Sequence, residues 1–178
     1  GVSSAASDVY KRQLDALASA PTLVDGAVYT IDFDATDAAG HPATQKQVTN
    51  VTFDTTLPTL SPVTIVSDNS TTSLARVGDV ITLAITSSED IIAPTVTIAG
   101  VTATVTGSNK IWSATYTVDA STTEGTAAIS IAFADLAGNN GTTVITTTNG
   151  SSVRVDTSAP TLNPVSYTHL TLPTILLV

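Results

Sequence analysis

Asp54, Glu89 and Asp135, joined by the carboxamide of Asn139, are the side chains in this chain whose types and places could do chemistry. Each acid stands at a turn signal: Asp54 in FDTTLP, Glu89 in SSED, Asp135 in DLAGNNG. Carboxylates crowded together repel one another unless a cation sits between them. Calcium, a hard cation, takes six to eight oxygens from carboxylates, carbonyls and water. The expectation is a calcium site built from Asp54, Glu89, Asp135 and Asn139. Such an ion would act mechanically, pinning a linker to the loops beside it. The same acids admit a plainer reading, because an Asp ahead of a tight turn caps backbone amides with its own side chain. Asp37, Asp54 and Asp135 all suit that role. The sequence holds no EF-hand loop.

Other chemistries find little support. The chain has no Cys, which removes thiolate nucleophiles, thiolate metal sites and disulfides. His41, in AGHPAT, has no evident partner to orient it as a base, and Asn139 stands at the matching place of a later turn. No nucleophile elbow, zinc-protease helix motif or phosphate-binding glycine loop is present. The chain therefore reads as non-enzymatic. A net charge of −9 from only 6 Lys and Arg argues against a nucleic-acid partner. No apolar run is long enough for a membrane span. Trp112 reads as a core aromatic, with a sugar-stacking platform as the alternative.

These residues need a scaffold, and the composition indicates one built of strands. Thr, Val, Ile, Ser and Ala dominate, and β-branched residues suit a pleated, half-buried surface. Alternation and turn signals predict strands at Val28–Ala35, Val48–Phe53, Pro62–Ser67, Asp79–Thr86, Thr95–Ala99, Thr102–Thr106, Lys110–Val118 and Thr126–Ala134, with a last pair ending at Ser152–Val155. This spacing suggests an all-β, two-sheet sandwich. The expected core is Ile65, Val80, Ile81 or Leu83, Ile85, Val96, Ile98, Trp112, Tyr116, Ile129, Ile131 and Phe133. Asp25, Asp32, Asp34, Asp119 and Glu124 read as solvated.

The chain also says one thing twice. FDTTLPTLSPV at 53–63 returns as VDTSAPTLNPV at 155–165, and DAAG at 37–40 returns as DLAG at 135–138. A period of about a hundred residues is that of one sandwich domain. On this basis 14–56 is the end of one repeat, 57–157 is a complete repeat, and 158–164 opens the next. Asp156 would be half of a following acidic site, and Asp37 part of a preceding one.

EDIIAPTVTIAG, then WSATYT, then the stretch from Glu124-Gly125 through IAFADLAGN, closed by VDTSAP, resembles the bacterial immunoglobulin-like repeats of large surface and secreted proteins, many of them adhesins. The resemblance implies an immunoglobulin-like β-sandwich in tandem repeat, extracellular or on the bacterial cell surface, used as a spacer in an adhesive stalk. Its partners would be neighbouring repeats of the same chain and a host or matrix ligand whose identity stays open. Two other uses of the fold remain open: a carbohydrate- or protein-binding module, and an accessory domain of a secreted hydrolase.

The two ends read differently. SSAASDVYKRQ at 3–13 and VSYTHLTLPT at 165–174 back-translate to one sequencing-adapter DNA in opposite orientations. Segments 1–13 and 165–178 are therefore expected to be adapter-derived and carry no functional weight.

Overall fold

The computed structural model describes residues 22–163, and none of these is helical. The segments read as adapter-derived lie outside them. No helix is long and apolar enough to cross a membrane among the described residues. The molecule is all-β, with several antiparallel sheets as in a β-sandwich.

A first hairpin pairs β1 (Val28–Phe33) with β2 (Lys46–Thr52), with a bulge between Tyr29 and Ile31. The extra residue lies on β2, where Asn50 takes a φ of 60°, so the bulge interrupts the alternation expected over Val48–Phe53. After the linker, β3 (Leu60–Ser67), β5 (Val80–Ser87), β9 (Ile111–Thr117) and β8 (Thr104–Ser108) form a four-stranded sheet in the order β3-β5-β9-β8. Its register shifts between Leu60 and Val63, where Pro62 has no amide to donate to the ladder. Facing it, β6 (Thr95–Ile98) and β7 (Val101–Thr102) join β11 (Ile129–Ala132). A small third sheet ties β10 (Gly125–Thr126) and β4 (Leu74–Ala75) to β12 (Arg154–Val155), and β4 runs parallel to β12.

One expected strand is two. Thr126–Ala134 divides between sheets because the chain changes partners at 127–128: the Ala127 amide bonds Val153 O, while Ala128 O accepts from Ala99. Likewise, the expected final pair is reduced to β12 and an isolated bridge between Val144 and Ile131. Thr102–Thr106 is interrupted at Ala103, whose amide turns back to Val96 O.

The core draws only on residues from Leu60 to Val155; β1 and β2 contribute nothing to it. Alternation places Ile81, Leu83 and Ile85 on one face of β5, against Val96, Ile98 and Ile131 of the opposite sheet. Burying each such side chain stabilises by roughly 1.5–3 kcal/mol. Both Ile81 and Leu83 are buried, since they lie two apart, whereas Val80 points to the other face and is half-exposed. Trp112 is buried, and its indole N–H donates to Asn109 O at 3.0 Å, which leaves no open face for stacking on a sugar.

Candidate functional site

The linker delivers Asp54. The end of β2 is closed by Phe53, whose amide and carbonyl pair with Ala27 and Gly26. Pro58 is buried, and Thr59 then pairs with Ser88 through the Ser88 amide and the Ser88 Oγ. Asp54 is therefore fixed between two anchored points, Phe53 before it and Pro58 after it.

Glu89 lies on the loop leaving β5. Buried Ile91 holds that loop down: its amide donates to Asn109 O, and it bridges Asp135. Ser87 Oγ bonds Glu89 O, and Lys110 Nζ donates to Ser88 O at 2.9 Å. The loop conformation is thus set by the core and by its own backbone bonds.

Asp135 follows β11 and is 2% exposed. Its Oδ1 accepts from the Gly138 and Asn139 amides at 2.7 and 2.8 Å, and Oδ2 accepts from Asn139 Nδ2 at 2.8 Å. Burial raises its pKa, but these bonds from Asn139, Gly138 and Ala137 outweigh it and hold the carboxyl below its ordinary range. Asn139 Nδ2 also donates to Asp54 O at 3.0 Å, so one amide nitrogen ties the turn to the linker.

Asp54, Glu89 and Asp135 each bring a carboxylate oxygen within 4.8 Å of the other two. Asn139 meets them through its amide nitrogen, leaving its oxygen for any further ligand role. None of the three acids has a basic side chain within ion-pair distance among the described residues. The electrostatic strain falls on Glu89. Desolvation, then the charges of Asp54 and Asp135, raise its pKa; Lys110 opposes them only in part. Three carboxylate oxygens from separate segments suit a hard cation in number and type, with backbone carbonyls and water to complete the shell.

The plainer capping role is present at the same residues. Asp54 Oδ1 accepts from the Thr56 amide at 3.0 Å. Asp37 holds a turn of the same form as Asp135, accepting from the Ala39 and His41 amides and from His41 Nδ1 at 3.0 Å. His41 therefore has a partner after all, on its own turn, and stands to Asp37 as Asn139 stands to Asp135.

Two acids that sequence reading left in solvent are engaged. Asp25 Oδ1 accepts from the Thr55 amide and hydroxyl at 2.6 and 2.9 Å, and its Oδ2 from the Thr56 hydroxyl at 2.7 Å. Glu124 Oε1 accepts from the Thr157 amide and hydroxyl at 3.1 and 2.9 Å and from the Ser158 hydroxyl at 2.6 Å. The signal that could have found them is the paired acid-Gly dipeptide, Asp25-Gly26 and Glu124-Gly125, about thirty residues ahead of each Asp-Thr phrase. Asp119 is also engaged, capping Ser121 and Thr122.

A concavity lies elsewhere. A shallow groove of about 330 Å³, bordered by Ile65, Ile129, Ile145 and Ser151, shares no residue with the acidic cluster. No protein-family model matches the chain, and no curated protein matches it.

Proposed function

We propose that this chain is a non-catalytic structural link in an extracellular, adhesion-type bacterial protein. In this reading residues 57–157 are one immunoglobulin-like bead of a tandem array, and the preceding residues are the end of another. A calcium ion at the joint stiffens the array. The observation that carries it is the convergence of Asp54 from the linker with Glu89 and Asp135 from the sandwich, three carboxylates without a basic partner among the described residues. Without a cation, Glu89 faces two like charges. With one, the repulsion becomes attraction, and the linker is drawn onto the sandwich. The matching Asp-Thr phrases, each held by an acid upstream, fit a unit used more than once.

Calcium titration of the chain tests this. Binding in calorimetry, a higher melting temperature and a straighter particle in small-angle scattering are the expected results, because a ligand that prefers the native state stabilises it by mass action. Asp54→Asn combined with Glu89→Gln should abolish all three. Calcium that alters neither melting nor particle shape would remove the ion from the proposal.

A further inference from the structure

We infer that the tripeptide Asp54-Thr55-Thr56 is a strap gripped from both sides, so that the direction of the linker is set by hydrogen bonds that need no metal. On the upstream side Asp25, at the start of the first hairpin, takes the Thr55 amide and both threonine hydroxyls. On the downstream side Asn139, on the sandwich, donates to Asp54 O. Within the strap, Asp54 Oδ1 caps the Thr56 amide and keeps the three residues in one turn. One carboxylate that accepts three bonds at once holds its partners far more firmly than three separate contacts, because the side chains are ordered only once.

The arrangement is not a single coincidence of packing. Asp156-Thr157-Ser158 adopts the same turn, with Asp156 Oδ1 accepting from the Ser158 amide at 3.1 Å. Glu124 takes the Thr157 amide, the Thr157 hydroxyl and the Ser158 hydroxyl. The acid differs (Asp in one place, Glu in the other), and so does the last hydroxyl, yet the three accepted groups correspond. Asp25 and Glu124 are thus positioning residues, and the Thr and Ser of each Asp-Thr phrase are there for their hydroxyls. The acidic cluster then acts on a strap whose path is already fixed.

The test separates this strap from the calcium proposal by working in EDTA. The chain has no Cys, so Thr49→Cys on β2 and Thr106→Cys on β8, both exposed, give clean spin-label sites. Electron–electron resonance should return one narrow distance distribution without calcium. Asp25→Asn should widen it about twofold, as expected when a local restraint opens independently of the global fold. Thr56→Val, which removes one hydroxyl and leaves both amides, should widen it less. Glu124→Gln, acting on the other strap, should leave it unchanged. The inference is overturned if Asp25→Asn and Thr56→Val both leave the width as it was. It is equally overturned if the unsubstituted chain is broad in EDTA and narrows only when calcium is added. Calcium that has no effect on a distribution already narrow would defeat the cation while leaving the strap intact.

Discussion

Residues 25–56 and 124–158 follow one plan and reach two different ends. Each begins with an acid and a glycine, runs through an alternating strand into a D-x-A-G turn, and finishes at an Asp-Thr strap. Locally they share most of their turn bonds. Asp37 N donates to His41 O as Asp135 N does to Asn139 O, and bridges join Thr36 to Pro42 as they join Ala134 to Asn140. Burial is where they part. Counting back from the turn, Ile31 and Phe33 take the places of Ile129 and Ile131, yet they are 43% and 50% exposed against 7% and 0%. Turn and strap chemistry is short-range and forms wherever its residues occur. Burial needs an opposing sheet, and among the described residues only the second stretch has one.

The contrast is broken most easily at the strand. Ile131→Ala empties a fully buried site and should cost about 2–5 kcal/mol in urea unfolding. Phe33→Ala, at the matching place, should cost less than about 1 kcal/mol, since a half-exposed ring gives up little burial. Equal losses would mean that the hairpin has a hidden partner and that the two regions are not as different as their exposure makes them.

A second pair of positions sharpens the comparison. A methyl group on Gly141 would overlap the ring of Phe133, although the backbone at Gly141 has no need of glycine. At the matching places of the first stretch stand Ala43 and Ala35, bonded to each other as Gly141 is to Phe133. One stretch pairs large with none, the other small with small. Gly141→Ala should therefore cost about 1–3 kcal/mol by overpacking. Adding Phe133→Ala should make the Gly141→Ala step close to neutral, which a double-mutant cycle measures directly. An additive cycle would separate the two residues energetically.

Much of this plan was legible in the residues, and the reasons for the remainder are physical. Period-two alternation announced β3, β5 and β9, and with them Ile65, Ile81, Leu83, Ile85, Trp112 and Tyr116 of the core. Ala114 and Val118 continue the alternation of Trp112 and Tyr116, and Val153 and Val155 stand two apart near the last strand; all four are buried, though none is among the core residues expected from the sequence. The division of 126–134 between two sheets escaped because alternation reports which face a residue takes, not which strand it pairs with. At the site, three acids beside turns were conspicuous. The grip of Asp25 on Thr55 was not, because a bond across thirty positions between common residue types has no local pattern.

The two D-x-A-G turns offer a smaller contrast. Asp135→Ala leaves the Gly138 and Asn139 amides without their buried acceptor and frees the Asn139 side chain from one of its two bonds. Asp37→Ala does the same to a turn open to water, which can replace the lost bonds. Thermal unfolding should register the first clearly and the second barely. A drop of the same size from both would show that capping, and not the joint with the linker, sets the importance of the turn.

The smallest effect is also the one that speaks most directly to charge. Glu89 has its pKa raised in the folded state, so just above the ordinary glutamate range the native protein holds more protons than the unfolded chain. In EDTA, stability should therefore fall as pH rises through that window and recover as the medium becomes mildly acidic. At lower pH the sign reverses. Asp135, like Asp25 and Asp37, has a lowered pKa, and its contribution is lost as pH falls through its folded value. Glu89→Gln removes the repulsion without removing the loop, and it should raise the melting temperature at neutral pH by about 2 °C and flatten the slope on that side. Calcium should cancel the same slope in the unsubstituted chain. A slope that survives Glu89→Gln unchanged would place the charge strain outside the cluster, and the three carboxylates would then be neighbours that do not compete for one ion.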